Sequence, residues 1–310
     1  VKELHGFFYC GMHSLKKAVK GKVVYNCDMK KKTTFGIGGP ADIWIEPADT
    51  KDLASALTAL KRGRIPYVVA GNGSNLLVND KGYRGAIVHL GSTRFKEIKV
   101  TGVRVTVGAG YSLPKLVRYA CENGLAGLES LVGIPGTVGG AIFMNAGGWA
   151  SPMYGNIGGV VTALKVMDGS GRVRWIEGKK IRFGYRTSGL EGAIVLEAKL
   201  GLRKDDAEVI ASRRGNFLSI KRQKQALDAP SAGCVFKNPD GSQLTSGQMI
   251  DMLGLKGARS GGAEISKKHA NFIINKDNAT CEDVMKLIEL IRVRVRENYG
   301  VDLELEVKIV

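Results

Sequence analysis

The sequence predicts a mixed protein, part α/β and part α+β, built from more than one subdomain. Three observations predict it. Strand-like and helix-like segments alternate through residues 1–92. Paired strands with tight turns and many glycines dominate 93–205, and capped helices dominate 206–300. A strictly alternating tail, 301–310, then reads as one last strand.

The elements follow in order. "ADIWIEP" alternates as a strand does, and "TKDLASALTALKRG" has apolar residues at helical spacing behind a Thr50 cap. "PYVVAG" reads as a buried strand running into "GNGSNLLV", and "GAIVHLG" as the next strand. "EIKVTGVRVTVGAG" reads as a hairpin turning at Thr101-Gly102, and "VTALKVMDGSGRVRWIE" as a second turning at Asp168–Gly171. Between them "SLPKLVRYACENG" is a helix opened by Ser112 and closed by Gly124.

Further along, "DDAEVIASRRGNFLSIKRQK" is a polar, basic helix, and "GSQLTSGQMIDMLGLKG" a helix ending near Gly254. "HANFIIN" is a buried strand. In "TCEDVMKLIELIRVRVRENYG", Thr280 and Asp283 make an acidic capping box, one face carries Val284, Leu287, Ile288, Ile291 and Val295, and Gly300 closes the helix. In the tail, Val301, Leu303, Leu305, Val307 and Ile309 share one side and Asp302, Glu304, Glu306 and Lys308 the other.

Composition narrows the class. The 310 residues are 44% hydrophobic and 24% charged, as in ordinary globular chains. No apolar run approaches the roughly 18 residues of a membrane-spanning helix. The N-terminal stretch is too polar for a secretory core and reads as a short basic amphipathic helix packed on the first domain. Cysteines 10, 27, 121, 234 and 281 are scattered and odd in number, with no CxxC pair, so a reducing cytoplasm fits better than a disulfide framework or a zinc site. The net charge of +17 predicts attraction for polyanions. A lysine-rich solvated surface accounts for much of it, and the alternative is steering of a nucleotide substrate.

Six stretches hold the candidate chemistry. "VVAGNGSNLLV" ends a strand in a loop, Gly71, Asn72, Gly73, Ser74 and Asn75, able to point backbone N–H groups at a phosphate. It lacks the GK[ST] of a Walker loop and the last glycine of GxGxxG. "GIPGTVGGAIFMNAGG" is dense in glycine, which is costly unless the chain must approach something closely. Two such loops favour a large dinucleotide cofactor. "FGYRTS" sets Tyr185 and Arg186 between apolar strands, and arginine suits bidentate recognition of carboxylate or phosphate. "PSAGCVFKNP" places Cys234 before Lys237 and Asn238, and "EISKKHANFIIN" places His269 and Asn271 before a strand. Glu306 is the sixth. Each alone has a blander reading: a strand-end turn, a structural loop, a surface arginine, a buried thiol, a structural histidine, a solvated carboxylate.

Together with "TTFGIGGPAD", these stretches resemble the UDP-N-acetylenolpyruvoylglucosamine reductase (MurB) family of flavoproteins, in its compact second type. The matches run in the family's order across residues 33–307. The resemblance implies a two-subdomain FAD-binding module of the vanillyl-alcohol-oxidase type, residues 1–92 and 93–205. It implies a separate α/β substrate-binding domain, 206–300, with the strand 301–310 returning to the FAD module. It implies NADPH-dependent reduction of UDP-N-acetylglucosamine enolpyruvate to UDP-N-acetylmuramate, in the cytoplasm, by a monomer.

By motif position, Arg186, Cys234 and Glu306 are the expected catalytic residues. The expected FAD contacts are Gly71, Asn72, Gly73, Ser74, Asn75, Ile134, Pro135, Gly136, Thr137, Gly140, Asn145 and Gly147. Tyr185, Lys224, Lys237, Asn238, His269 and Asn271 are the expected substrate contacts. Three features depart from the family's pattern. Cys234 stands where serine is usual, the turn carrying Tyr154 and Gly155 is longer, and Ala226 stands where proline is common before the register of Lys224. A thiol of ordinary pKa, ~8.5, is mostly protonated at neutral pH and can donate; Lys237 nearby favours the thiolate product.

Two rival readings are an oxidase of the same flavoprotein superfamily and a basic nucleic-acid-binding protein. The first should lack "PSAGCVFKNP" and "KKHANFIIN"; the second predicts no bound chromophore.

Overall fold

The computed structural model describes residues 15–147 and 155–310. Most of the expected N-terminal helix, and Tyr154, lie outside them. The chain forms two compact units, each drawn from separate stretches of sequence. The first takes residues up to 26, 42–71 and 84–218; the second takes 27–41, 72–83 and 219–310.

The first unit holds a five-stranded antiparallel sheet. Its order is Val173–Glu177, Val161–Asp168, Ala193–Gly201, Arg104–Gly108, Ile98–Thr101. Both expected hairpins are present. Thr101 faces Arg104 across a turn in which Gly102 takes φ +59°, a left-handed value glycine adopts without strain. Asp168 ties the other turn by accepting from the Ser170 and Arg172 amides. These bonds hold its carboxyl below the usual range, the Ser170 hydroxyl contributing most.

A four-stranded sheet holds Lys22–Asp28, Pro40–Glu46, Tyr83–His89 and Tyr67–Ala70, in that order. The last was expected to be buried, yet Val69 is 38% exposed. It is an edge strand, covered from one side only. The Thr50–Arg62 helix is capped by Asp49, one residue before the expected Thr50. It buries Leu53, Ala56, Leu57 and Leu60, the spacing of one helical face. Buried Asp52 accepts from the Lys20, Gly21 and Ala48 amides and so fastens the entering chain to this helix. Ser112 caps the Leu113–Glu122 helix as expected.

In the second unit a four-stranded antiparallel sheet runs Ser231–Cys234, Phe272–Asn275, Ala263–Ile265, Arg259–Ser260. The Cys281–Tyr299 helix has the expected Thr280–Asp283 capping box, the expected apolar face and Gly300 at φ +65°. Asp80 adds a further cap, accepting from the Cys281 and Glu282 amides. The helix expected over "GSQLTSGQMIDMLGLKG" spans only Ser246–Met252, because Thr245 caps it with Gln248.

The tail differs most from the periodic reading. Only Lys308–Ile309 is ladder, parallel to Leu76–Leu77, while Leu305 bridges Phe236. Leu303 and Val307 are buried, but Ile309 is 39% exposed. The tail changes partners along its length, so one alternation cannot hold throughout.

Glu129, 2% exposed, accepts from the Gly127 amide and from Arg213, which also bonds Asp205. Glu129→Ala leaves Arg213 its Asp205 partner but leaves the Gly127 amide without this acceptor. It should cost about 1–3 kcal/mol, read as a lower midpoint in urea unfolding.

Candidate active site

In the first unit the site is built around the turn that carries Arg186. Gly184 and Thr187 pair across it, and Arg186 sits at φ +55°, where a side-chain-bearing residue pays of order 1–3 kcal/mol. Three side-chain bonds hold the turn against residues 143–147. Asn145 Nδ2 donates to Gly184 O at 2.8 Å, Ser188 Oγ to Phe143 O at 2.9 Å, and Arg186 Nη1 to Gly147 O at 3.1 Å. Asn145 is itself left-handed at φ +43°, and its Oδ1 accepts from the Gly158 amide at 3.1 Å. Its carboxamide, expected against the cofactor, is thus engaged inside the protein. The Arg186 guanidinium carbon lies 5.0 Å from the centroid of the Tyr185 ring, which is 43% exposed. Ser188, 1% exposed, was not foreseen, since its partner is 45 residues away in sequence.

The glycine loop is close-packed. Thr137 caps the Val138–Phe143 helix, and a Cβ on Gly71 would lie 2.5 Å from its Oγ1, so glycine alone fits there. Leu113 donates to Gly136 O and Val138 to Tyr111 O, which fixes the loop carrying Ile134, Pro135 and Gly140. Gly147 bridges Asn156 at φ +130°. Asn156 Oδ1 is buried with no donor among the described residues. That orphan acceptor fits a polar group of a bound ligand.

His89 supports the strand before Gly71 from behind. Its Nδ1 lies 3.1 Å from Ala70 O, so it carries the proton and donates. Its ring stacks at 5.1 Å on Trp44, whose indole bonds Glu46.

The second unit assembles a different group. Val235 O accepts from both Glu306 N, at 2.8 Å, and Val307 N, and Lys237 N donates to Glu304 O. The tail therefore runs antiparallel along residues 235–237, setting Glu306 opposite Val235, the residue that follows the half-buried Cys234. Glu306 is half-buried too, unlike Asp302 and Glu304 on the same side of the tail. Asn271, 3% exposed, clasps Phe236 from the other flank: its Oδ1 accepts from Phe236 N and its Nδ2 donates to Phe236 O. His269 Nδ1 accepts from Asn271 N at 3.2 Å, the opposite tautomer to His89.

Asn75 Nδ2 donates to Glu306 O and Asn75 O accepts from Lys308 N, so this expected cofactor residue anchors the tail. Gly73, φ +63°, packs on Lys32 and Thr33 with no room for a Cβ; Asn72 is exposed and Ser74 half-buried. Lys237 Nζ is paired with Glu304 at 3.0 Å. Asn238 Oδ1 accepts from Ser246 N, Ser246 Oγ donates to Lys237 O, and Lys224 is exposed at a helix end.

Lys221 was missed. It is 4% exposed, on the face of the Ala207–Lys224 helix that buries Ile210 and Phe217, and burial pushes its ammonium down to about 8. A lysine in an apolar helical register was the available signal.

The arrangement offers a pre-set guanidinium in one unit, and in the other a thiol and a carboxylate on two paired segments. A profile of the FAD binding domain matches residues 41–177, and one of the UDP-N-acetylenolpyruvoylglucosamine reductase C-terminal domain matches 225–310. The chain is 41% identical to the UDP-N-acetylenolpyruvoylglucosamine reductase of Heliobacterium modesticaldum, over 96% of this chain and 94% of that one. It is 41% identical to the enzyme of the same name from Moorella thermoacetica, over 95% of each. The crystal structure of the Thermus caldophilus reductase superposes with a TM-score of 0.77 at 37% identity, covering 94% of this chain and 98% of that one.

Burial holds both His89 and His269 below the ordinary histidine value, with Lys96 and Lys256 adding to it and Glu46 and Asp251 opposing. The unfolded chain gains protons there first, from about pH 6.5 downward. Stability should thus be full above that pH and fall as acid is added towards pH 5. Melting temperatures across this range check it, and His269→Gln should flatten the slope.

Proposed function

The chain belongs to the UDP-N-acetylenolpyruvoylglucosamine reductase family, and we propose that Arg186, Cys234 and Glu306 carry its chemistry. It is an FAD-dependent oxidoreductase that reduces UDP-N-acetylglucosamine enolpyruvate to UDP-N-acetylmuramate with NADPH, a step in making peptidoglycan precursors. FAD, held by the residues assigned below, would supply the two-electron hydride chemistry that links NADPH to the enol carbon β to the substrate carboxylate.

The protein's tasks are to hold charge and to give a proton. Negative charge grows on the enolate and carboxylate, and the Arg186 guanidinium, fixed before substrate arrives, stabilises it without reorganising. The Cys234 S–H bond then breaks as a C–H bond forms at the α carbon, leaving a thiolate. Glu306 orients the same region. The observation that supports this assignment is the pairing of the tail with residues 235–237, which brings Glu306 within one position of Cys234 along the paired strands.

For FAD we assign Gly71, Asn72, Gly73, Ser74 and Asn75, with Ile134, Pro135, Gly136, Thr137, Gly140, Asn145 and Gly147. The orphan Asn156 oxygen supports a polar ligand at the Gly147 turn. For the UDP-sugar we assign Tyr185, Lys224, Lys237 and Asn238, Lys237 exchanging Glu304 for phosphate. His269 and Asn271 serve substrate binding by holding the Cys234–Phe236 segment.

The functional division we infer keeps 1–92 and 93–205 as the cofactor module and 206–300 as the substrate domain. The tail, 301–310, returns to the module, supported by its pairing with Leu76–Leu77 inside the FAD binding match. No helix among the described residues is long and apolar enough to cross a membrane. Soluble nucleotide substrates support a cytoplasmic enzyme, and the family resemblance supports a monomer.

In stopped flow, Cys234→Ala should still let NADPH bleach the flavin, while reoxidation by the enolpyruvyl substrate slows about 10²–10⁴-fold. Unchanged reoxidation would remove Cys234 from the mechanism. Asn145→Ala should release the Arg186 turn, slowing reoxidation of the flavin that remains bound about 10–100-fold.

A further inference from the structure

A concave groove in the first unit lies outside every residue assigned above. Its volume is about 540 Å³, and residues 174–177 line it together with Lys180, Arg182 and Leu190. Four consecutive residues of one strand point alternately to opposite faces of a sheet. A groove that touches all four therefore runs along the strand's edge rather than over one face. Val173–Glu177 is the outermost strand of its five-stranded sheet, paired among the described residues only with Val161–Asp168. Its other edge presents the backbone N–H and C=O groups that an added strand would take up.

The groove's chemistry selects what fits. Glu177 is paired with Lys179 at 3.3 Å. Arg174, Lys180 and Arg182 are exposed and stand in no ion pair among the described residues. Trp175 is 43% exposed, with the Lys199 ammonium 4.4 Å from its ring centroid. Val173, also on this strand, is 36% exposed. A second copy pairing edge to edge would set these cations against their own kind, which is repulsive. An extended chain with carboxylates at alternate positions meets them instead, and its intervening apolar side chains find Trp175, Ile176 and Leu190.

We propose that the open edge of the Val173–Glu177 strand is a docking groove for an extended, acidic peptide segment of a protein partner, bound by strand addition. Backbone bonds along the edge give affinity, and Arg174, Lys180 and Arg182 give selectivity for acidic sequence.

The test uses the full-length, FAD-loaded protein and a short fluorescent peptide alternating glutamate and valine. Anisotropy should rise on titration, with binding weakened by salt. The triple variant R174E/K180E/R182E, with normal flavin content, should bind at least about tenfold more weakly. A peptide N-methylated at alternate amides, which cannot pair with an edge, should lose binding while keeping its charge. Trp175 emission should shift with the first peptide only. Equal binding of the N-methylated peptide, or of single-stranded DNA of the same charge, would reduce the groove to a general anion surface and overturn the proposal. So would unaltered binding by the triple variant, or no binding at low salt.

Discussion

Much of the second unit's arrangement follows from one carboxamide. Asn271 is buried, and both ends of its amide are used on the two main-chain groups of Phe236. A carboxamide satisfied in this way fixes the segment it holds, because releasing either bond would leave a buried polar group without a partner. With Phe236 held, the Val235 carbonyl faces the tail and receives the Glu306 and Val307 amides. With Glu306 held, its own carbonyl receives Asn75, and Lys308 continues the pairing beside Leu76. Cys234, Glu306 and the Asn72–Asn75 loop thus form one connected hydrogen-bonded path. The side chain that starts it need not touch substrate.

Arg186 is prepared by another route. No sheet holds it; a left-handed turn does, at a backbone cost that a flexible surface loop would not bear. The cost is met by three side-chain bonds from Asn145, Ser188 and Arg186 itself. The two groups of residues therefore rest on different physics: main-chain pairing for the segments that carry the thiol and carboxylate, local strain held by side chains for the guanidinium. Both deliver groups whose positions are set before ligand binds, which is the condition under which fixed charges contribute most to a transition state.

Much of the fold was legible because its signals are local. The hairpin turns at Gly102 and Asp168, the Ser112 cap and the Thr280–Asp283 capping box all depend on residues within a few positions of one another. What was hidden depends on distance. The edge position of Tyr67–Ala70 is a matter of sheet order, and the tail's change of partner is a matter of which segments lie beside it. The site shows the same split. The ordered motifs named Arg186, Cys234 and Glu306, and the resemblance made Asn75, Asn145 and Asn271 ligand contacts. Their amides also serve main-chain groups 231, 39 and 35 residues away, which no motif records. Lys221 was hidden for the opposite reason: among so many lysines, one more on a basic helix carries no sequence mark of its burial.

The central claim is that the Cys234 thiol, in the place of a hydroxyl, gives the proton. Its most direct test is the pH dependence of flavin reoxidation by the enolpyruvyl substrate, compared between the native protein and Cys234→Ser. A thiol donor loses its proton as pH rises, so the native rate should fall on an alkaline limb. The serine variant, whose hydroxyl stays protonated, should lack that limb. An identical alkaline limb in both proteins would contradict the assignment.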